Sequence, residues 1–148
     1  MDEKHKFILS SQFYHTMRDF LKIAMGVQEN EDLFSEGHFG ESNKFLIYKY
    51  DISQQKMELS NSFDNTSAEE KMHGDPVKAK GVASIIGDVD IIFAHALGQN
   101  IIRMKKKYLI LISRSLNIHE ALNKIPNKID KILEEMEKNI EDRKIIRI

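Results

Sequence analysis

Val89-Asp90-Ile91-Ile92-Phe93-Ala94 and Tyr108-Leu109-Ile110-Leu111-Ile112-Ser113 decide the fold. Each is a short, unbroken apolar run bounded by turn formers, as in strands covered on both faces. Between them, His95 to Gln99 reads as a loop and Asn100 to Lys107 as a short helix with Ile101, Ile102 and Met104 on one side. Strand, helix and strand in this order form a parallel crossover, which is right-handed in nearly all proteins. Upstream lies the clearest helix signal of the chain. Asp75 caps it, Pro76 suits its first position, Val77, Gly81, Val82, Ile85 and Ile86 form its apolar stripe, and Gly87 stops it.

Further upstream, Leu21 to Val27 and Phe45 to Asp51 read as strands, and Lys56 to Phe63 alternates and completes a hairpin through Ile52-Ser53-Gln54-Gln55. Gln28 to Glu36 is an acidic loop. Asp64 to Asp75 is a polar connection, with a short turn from Thr66 to Lys71 marked by the capping-box spacing of Thr66 and Glu69. Residues 1–19 have no clean period. Downstream, Asn117 caps a helix whose stripe is Ile118, Ala121, Leu122 and Ile125, with Glu120 three residues after the cap. Pro126 interrupts, and a last helix from Asn127 to Asp142 presents Ile129, Ile132, Leu133, Met136 and Ile140 on one face. The end, Arg143 to Ile148, alternates apolar and basic residues. The order β-β-β-α-β-α-β-α-α predicts a single α/β domain with a mixed sheet between helical layers.

The 148 residues suit one compact domain with a real core. A net charge of −1 provides no field that would recruit nucleic acid. The absence of cysteine excludes disulfides, CxxC zinc sites and a thiolate nucleophile, and fits a reducing cytoplasm. No apolar run approaches the roughly 20 residues of a membrane span, and the start has no signal-peptide pattern. There is no G-x-S-x-G, Walker loop or G-x-G-x-x-G. Asp51, Asp64, Asp88 and Asp90 are scattered, with Asp88 and Asp90 at the wrong end of a strand for a two-metal nuclease. The chain is therefore read as non-catalytic.

In open α/β sheets, ligands collect beyond the carboxyl ends of the parallel strands. That edge receives the loop after Val27, the loop after Ala94 with His95 and Gly98, and the loop after Ser113. The first leads to Gly37-His38-Phe39-Gly40-Glu41-Ser42, a histidine between glycines that permit positive φ and close approach of a bulky ligand. Imidazoles, a helix start and unobstructed backbone suit an anionic, bulky ligand, such as a metal–sulfur cluster or a phosphate ester.

Lys22-Ile23-Ala24, Gly37-His38-Phe39-Gly40, Phe45-Leu46-Ile47, Gly81-Val82-Ala83, Asp88-Val89-Asp90-Ile91-Ile92, Gly98 and Ile118-His119-Glu120-Ala121-Leu122 follow one another as in a known family. In order and spacing they resemble the dinitrogenase iron–molybdenum-cofactor biosynthesis family of NifX-like proteins, over about Leu21 to Ile125. The resemblance implies a three-layer α/β/α, ribonuclease-H-like fold with a five-stranded mixed sheet, and binding of iron–sulfur or molybdenum–iron–sulfur cofactor precursors. It divides the chain into an N-terminal extension (1–20), a NifX-like cluster-binding domain (21–125) and a C-terminal helical extension (126–148). This chain departs from the family in Ala94-His95-Ala96-Leu97-Gly98, where a double glycine is usual, and in its two extensions.

With the resemblance, His38 becomes the main ligand expected, beside its ordinary role as a turn histidine bonding a carbonyl. Phe39, Gly40 and Gly98 would contact the cluster, and His95 would be a second metal ligand or a histidine satisfying nearby backbone. His73 could fold over a cluster or be a plain loop residue; His119 reads as solvated, and His5 and His15 carry no argument. Arg103 and Lys105 to Lys107 could attract an anion or form a solvated face. The methionines read as packing, with Met25 a softer ligand option. The function expected is a carrier of a metal cluster, with cluster donor and acceptor assembly proteins as partners and a homodimer as a further option. The alternative is an interaction module of the same fold that binds no metal and works through the N-terminal extension, the helix after Pro126 and the apolar tail Ile145-Ile146-Arg147-Ile148. A nucleotide or phosphate-ester binder is a third, minor reading.

Overall fold

The computed structural model describes residues 18–67, 76–96 and 98–148. The reading of Asp75 as a cap, most of the expected Thr66–Lys71 turn, His5, His15 and His73 lie outside the described residues. The elements are β1 (Phe20–Val27), β2 (Lys44–Asp51), β3 (Lys56–Asp64), α1 (Pro76–Ile86), β4 (Ile91–Ala94), α2 (Gln99–Met104), β5 (Leu109–Ile112), α3 (Ile118–Asn123), α4 (Ile129–Glu137) and β6 (Ile146–Arg147). Short 3₁₀ turns occupy Phe39–Glu41, Pro126–Lys128 and Ile140–Asp142.

The strands form one mixed sheet in the order β3-β2-β1-β4-β5-β6. β2 runs antiparallel to both neighbours, while β1, β4, β5 and β6 run parallel. Period-2 alternation divides the core into two halves. Leu21, Ile23, Met25, Ile91, Phe93, Leu109 and Leu111 pack under α3 and α4, through Ile118, Leu122, Ile132 and Leu133. Ala24, Ile92, Ala94, Ile110 and Ile112 pack under α1 and α2, through Val82, Ile86, Ile101 and Met104. Helices on both faces explain why β4 and β5 read as unbroken apolar runs.

Among the described residues the sheet has six strands where five were expected. Ile146 pairs with Leu111, and the Ile148 amide donates to the Ile112 carbonyl at 2.9 Å. Ile146 and Ile148 are 1% and 5% exposed, so the apolar tail belongs to the core and is not a free docking segment. The last helix is shorter than expected, because its backbone breaks at Lys138 before the 3₁₀ turn Ile140–Asp142.

α1 turns a different face to the sheet from the one its apolar stripe predicts. Val82 and Ile86 are buried as expected, but Val77 is 64% exposed and Lys78 is buried in its place. Lys78, Val82 and Ile86 follow the i, i+4, i+8 spacing of one helix face. Two end signals agree with the sequence. Gly87 takes φ +67° after α1, and the Asn117 side chain accepts from the His119 and Glu120 amides at 2.9 and 3.1 Å.

Glu135 in α4 anchors the return of the chain to the sheet. It is 5% exposed, receives Lys138 Nζ at 2.6 Å, and accepts the Lys144 amide at 2.7 Å. The Lys138 hydrogen bond, then that of the Lys144 amide, hold its carboxyl below the ordinary value near 4.5. A carboxyl lowered on folding stabilises above its unfolded pKa, and this contribution fades as pH falls through the folded one. Urea midpoints measured from pH 7 to pH 3 should therefore drop below about pH 4.5 in the wild type. Glu135→Gln should start lower at pH 7 and fall less; an unchanged profile would remove Glu135 from the acid response.

Candidate functional site

The segment after β1 folds back across the carboxyl edge. The Phe34 amide donates to the Leu116 carbonyl at 2.9 Å, and the Ser35 amide to Gly26 at 3.0 Å. His119 Nε2, 2.7 Å from Asp32 Oδ1, ties this loop to α3. The chain then reaches His38 and the 3₁₀ turn that follows it. Phe39 anchors the turn by packing on Phe45, ring centroids 5.0 Å apart. Ser42 Oγ donates to the Phe39 carbonyl at 2.6 Å, and Asn65 Nδ2 donates to the Gly40 and Ser42 carbonyls at 2.7 and 2.8 Å. A turn held at both ends gives the histidine a defined position.

The glycines act through space, not through positive φ as the sequence suggests. Among the described glycines only Gly87 has positive φ. Gly98, the residue before α2, has φ −113° and lies directly against the His38 ring. A Cβ there would sit 2.5 Å from His38 Cγ and 2.9 Å from Nδ1. Gly40 makes room for the stem of Lys78, whose Cε would be 3.4 Å from a Cβ at that position.

His38, Phe39, Gly40 and Gly98 therefore line one pocket, together with Lys78, Asn100, Ile101 and Met104. Its enclosed interior is only about 10 Å³, room for a single water, within an open concavity of about 240 Å³. Lys78 and Asn100 escaped the sequence reading because a polar residue on a helix is assigned by default to the solvent side.

His95 stands apart from these residues. It follows Ala94, and one step along a strand reverses the face. Its ring stacks on Phe34, centroids 6.4 Å apart, on the α3 side of the sheet. His95 Nδ1 lies 3.0 Å from the Ser113 carbonyl, so Nδ1 carries the hydrogen and the neutral ring keeps its lone pair at Nε2. Among the described residues no three His, Cys, Asp or Glu side chains converge on a metal-sized site.

The opposite edge carries a wider pocket of about 280 Å³, lined by Arg18, Asp88, Asp90, Lys107, Tyr108 and Arg143 among others. Asp90 pairs with Arg18 and accepts the Lys22 amide at 2.9 Å. Arg143 Nη2 donates to the Met136 carbonyl at 2.7 Å; burial, then the Arg18 charge, lowers its pKa. These contacts join the segments flanking the sheet to the strand starts.

Residues 21–128 match a family profile described as dinitrogenase iron-molybdenum cofactor. The chain belongs to the dinitrogenase iron-molybdenum cofactor family. No curated protein and no solved structure matches it. Every residue lining the His38 pocket falls within the family match, whereas α4 and β6 lie beyond it. Among the described residues no helix is long and apolar enough to cross a membrane.

Proposed function

We propose that this member of the dinitrogenase iron-molybdenum cofactor family is a non-catalytic carrier of an iron–sulfur or molybdenum–iron–sulfur cofactor precursor. The observation that carries the reading is the seating of His38 against Gly98 at the carboxyl edge of the sheet, inside the family unit. The order β3-β2-β1-β4-β5, with β2 reversed, supports a ribonuclease-H-like fold to which β6 is an addition. The pocket engages one face of the cargo, with His38 as the ligand and the backbone at Gly40 and Gly98 closely approachable. A chain without cysteine holds such cargo weakly enough to pass it on. His95, on the other side of the sheet, is left out of this set. Donor and acceptor assembly proteins are the partners, and the cytoplasm the setting.

Anaerobic mixing with an iron–sulfur–molybdenum cluster source, followed by gel filtration and metal analysis, tests the reading. Metal should co-elute with the wild type, and His38→Ala should lower retention at least about tenfold, the range expected when a metal ligand or its orienting partner is lost. Equal retention by the variant, or none by the wild type, would overturn it.

A second reading, an interaction module, draws on β3. That strand ends the sheet and exposes Leu59 (53%) and Phe63 (38%). An exposed apolar edge strand is a template for pairing. If β3 makes a homodimer, sedimentation should show a dimer that Leu59→Lys converts to a monomer; a monomeric wild type removes this reading.

A further inference from the structure

Two polar side chains in the His38 pocket are more than nine-tenths buried. Lys78 is 5% exposed and Asn100 8%. Among the described residues the Lys78 ammonium has no hydrogen bond or ion pair, and Asn100 Oδ1 is buried without a partner. The Lys78 stem runs along Gly40, with Cε the nearest atom to the place a Cβ would take, so the ammonium lies one bond beyond that contact. The stem is buried while the ammonium keeps access to solvent at the pocket mouth, where an anion would meet a cation with no competing counter-ion among the described residues. Groups that break local rules in this way concentrate where a ligand supplies what is missing. Apolar Ile101 and Met104 line the same pocket and strengthen any charge interaction made there.

We infer that this pocket selects cargo by charge, with Lys78 the counter-cation for an anionic, sulfide-bearing ligand and the Asn100 amide a hydrogen-bonding group at its side. Rotated about its last torsion, that amide presents Nδ2 to an anion. The inference rests on the carrier reading and adds the charge class of the cargo. Lys78 thus acts as a specificity residue, while His38 acts as the ligand.

Three probes separate the two: a thiolate-capped four-iron, four-sulfur dianion, tetrathiomolybdate, and ferrous iron alone. Lys78→Met and Lys78→Gln should weaken binding of both anions about tenfold or more, roughly 1.4 kcal/mol per factor of ten, and leave ferrous iron unaffected. Lys78→Arg should keep the anions within about threefold of the wild type. Without ligand, Lys78→Met should melt close to the wild-type temperature, since it keeps the apolar stem that packs against Gly40. Anion binding retained by Lys78→Met and Lys78→Gln but lost by His38→Ala would overturn the inference and leave the carrier reading standing. A wild type that retains no cluster would overturn both. A lower melting temperature in Lys78→Met with unchanged anion affinity would make Lys78 a packing residue and overturn the inference.

Discussion

Gly98→Ala should abolish cluster retention about as completely as His38→Ala, while costing the fold only about 1 kcal/mol. The added methyl would sit 2.5 Å from His38 Cγ and 2.8 Å from Cδ2, closer than nonbonded carbons approach. Gly98 has φ −113°, so alanine is compatible with the backbone, and the ring is the group that must move. A ring displaced by an ångström or more no longer presents a ligand in the same place. A double-mutant cycle isolates this contact without any cargo. His38→Ala removes the obstacle, so Gly98→Ala added to it should be nearly neutral in urea unfolding, giving a coupling of about 0.5–1 kcal/mol. Additive effects would mean that the ring and Gly98 do not touch. Full cluster retention in Gly98→Ala would remove the seated ring from the account of binding.

That contact also marks where sequence reading ends. Both partners stand out locally, His38 between two glycines and Gly98 ahead of a short helix, and the family order links them. Their meeting is a tertiary contact that no periodicity encodes. The unbroken runs of β4 and β5 are legible because burial on both faces leaves no polar position. The β2–β3 hairpin is legible from its polar turn, where Gln55 takes φ 53°. β6 is not, because two residues are too few to show a period, and what recruits Ile146 is the open edge of β5. Parity explains His95: strand alternation assigns Ala94 to the His38 side and its neighbour to the Phe34 side. Lys78 is misplaced because hydropathy scores its ammonium, whereas packing against Gly40 uses its four methylenes.

Gly26→Ala should produce the largest loss of stability among these substitutions, about 3 kcal/mol from overpacking and a broken buried hydrogen bond. For a chain of this length that is roughly 6–12 °C in Tm. Gly26 lies in β1, in register with Phe45 of β2 and one residue beyond Met25, which pairs with Phe93 of β4. Backbone held in this way cannot retreat. A Cβ would fall 2.1 Å from Ser42 Oγ, 3.0 Å from Ser42 Cβ and 3.1 Å from Phe39 Cδ2. Ser42 is 2% exposed and has no solvent to turn into. Its hydroxyl must leave the Phe39 carbonyl, the bond that closes the 3₁₀ turn after His38. The site should fail with the fold: at temperatures where the variant is still native, cluster retention should already be reduced, because the turn that presents His38 has lost its anchor. Ser42→Gly in the same chain removes both clashing atoms and should restore part of the Tm, with a favourable coupling of about 1 kcal/mol or more. If it restores none, the clash lies elsewhere, and Gly26 is required by something other than the turn it faces.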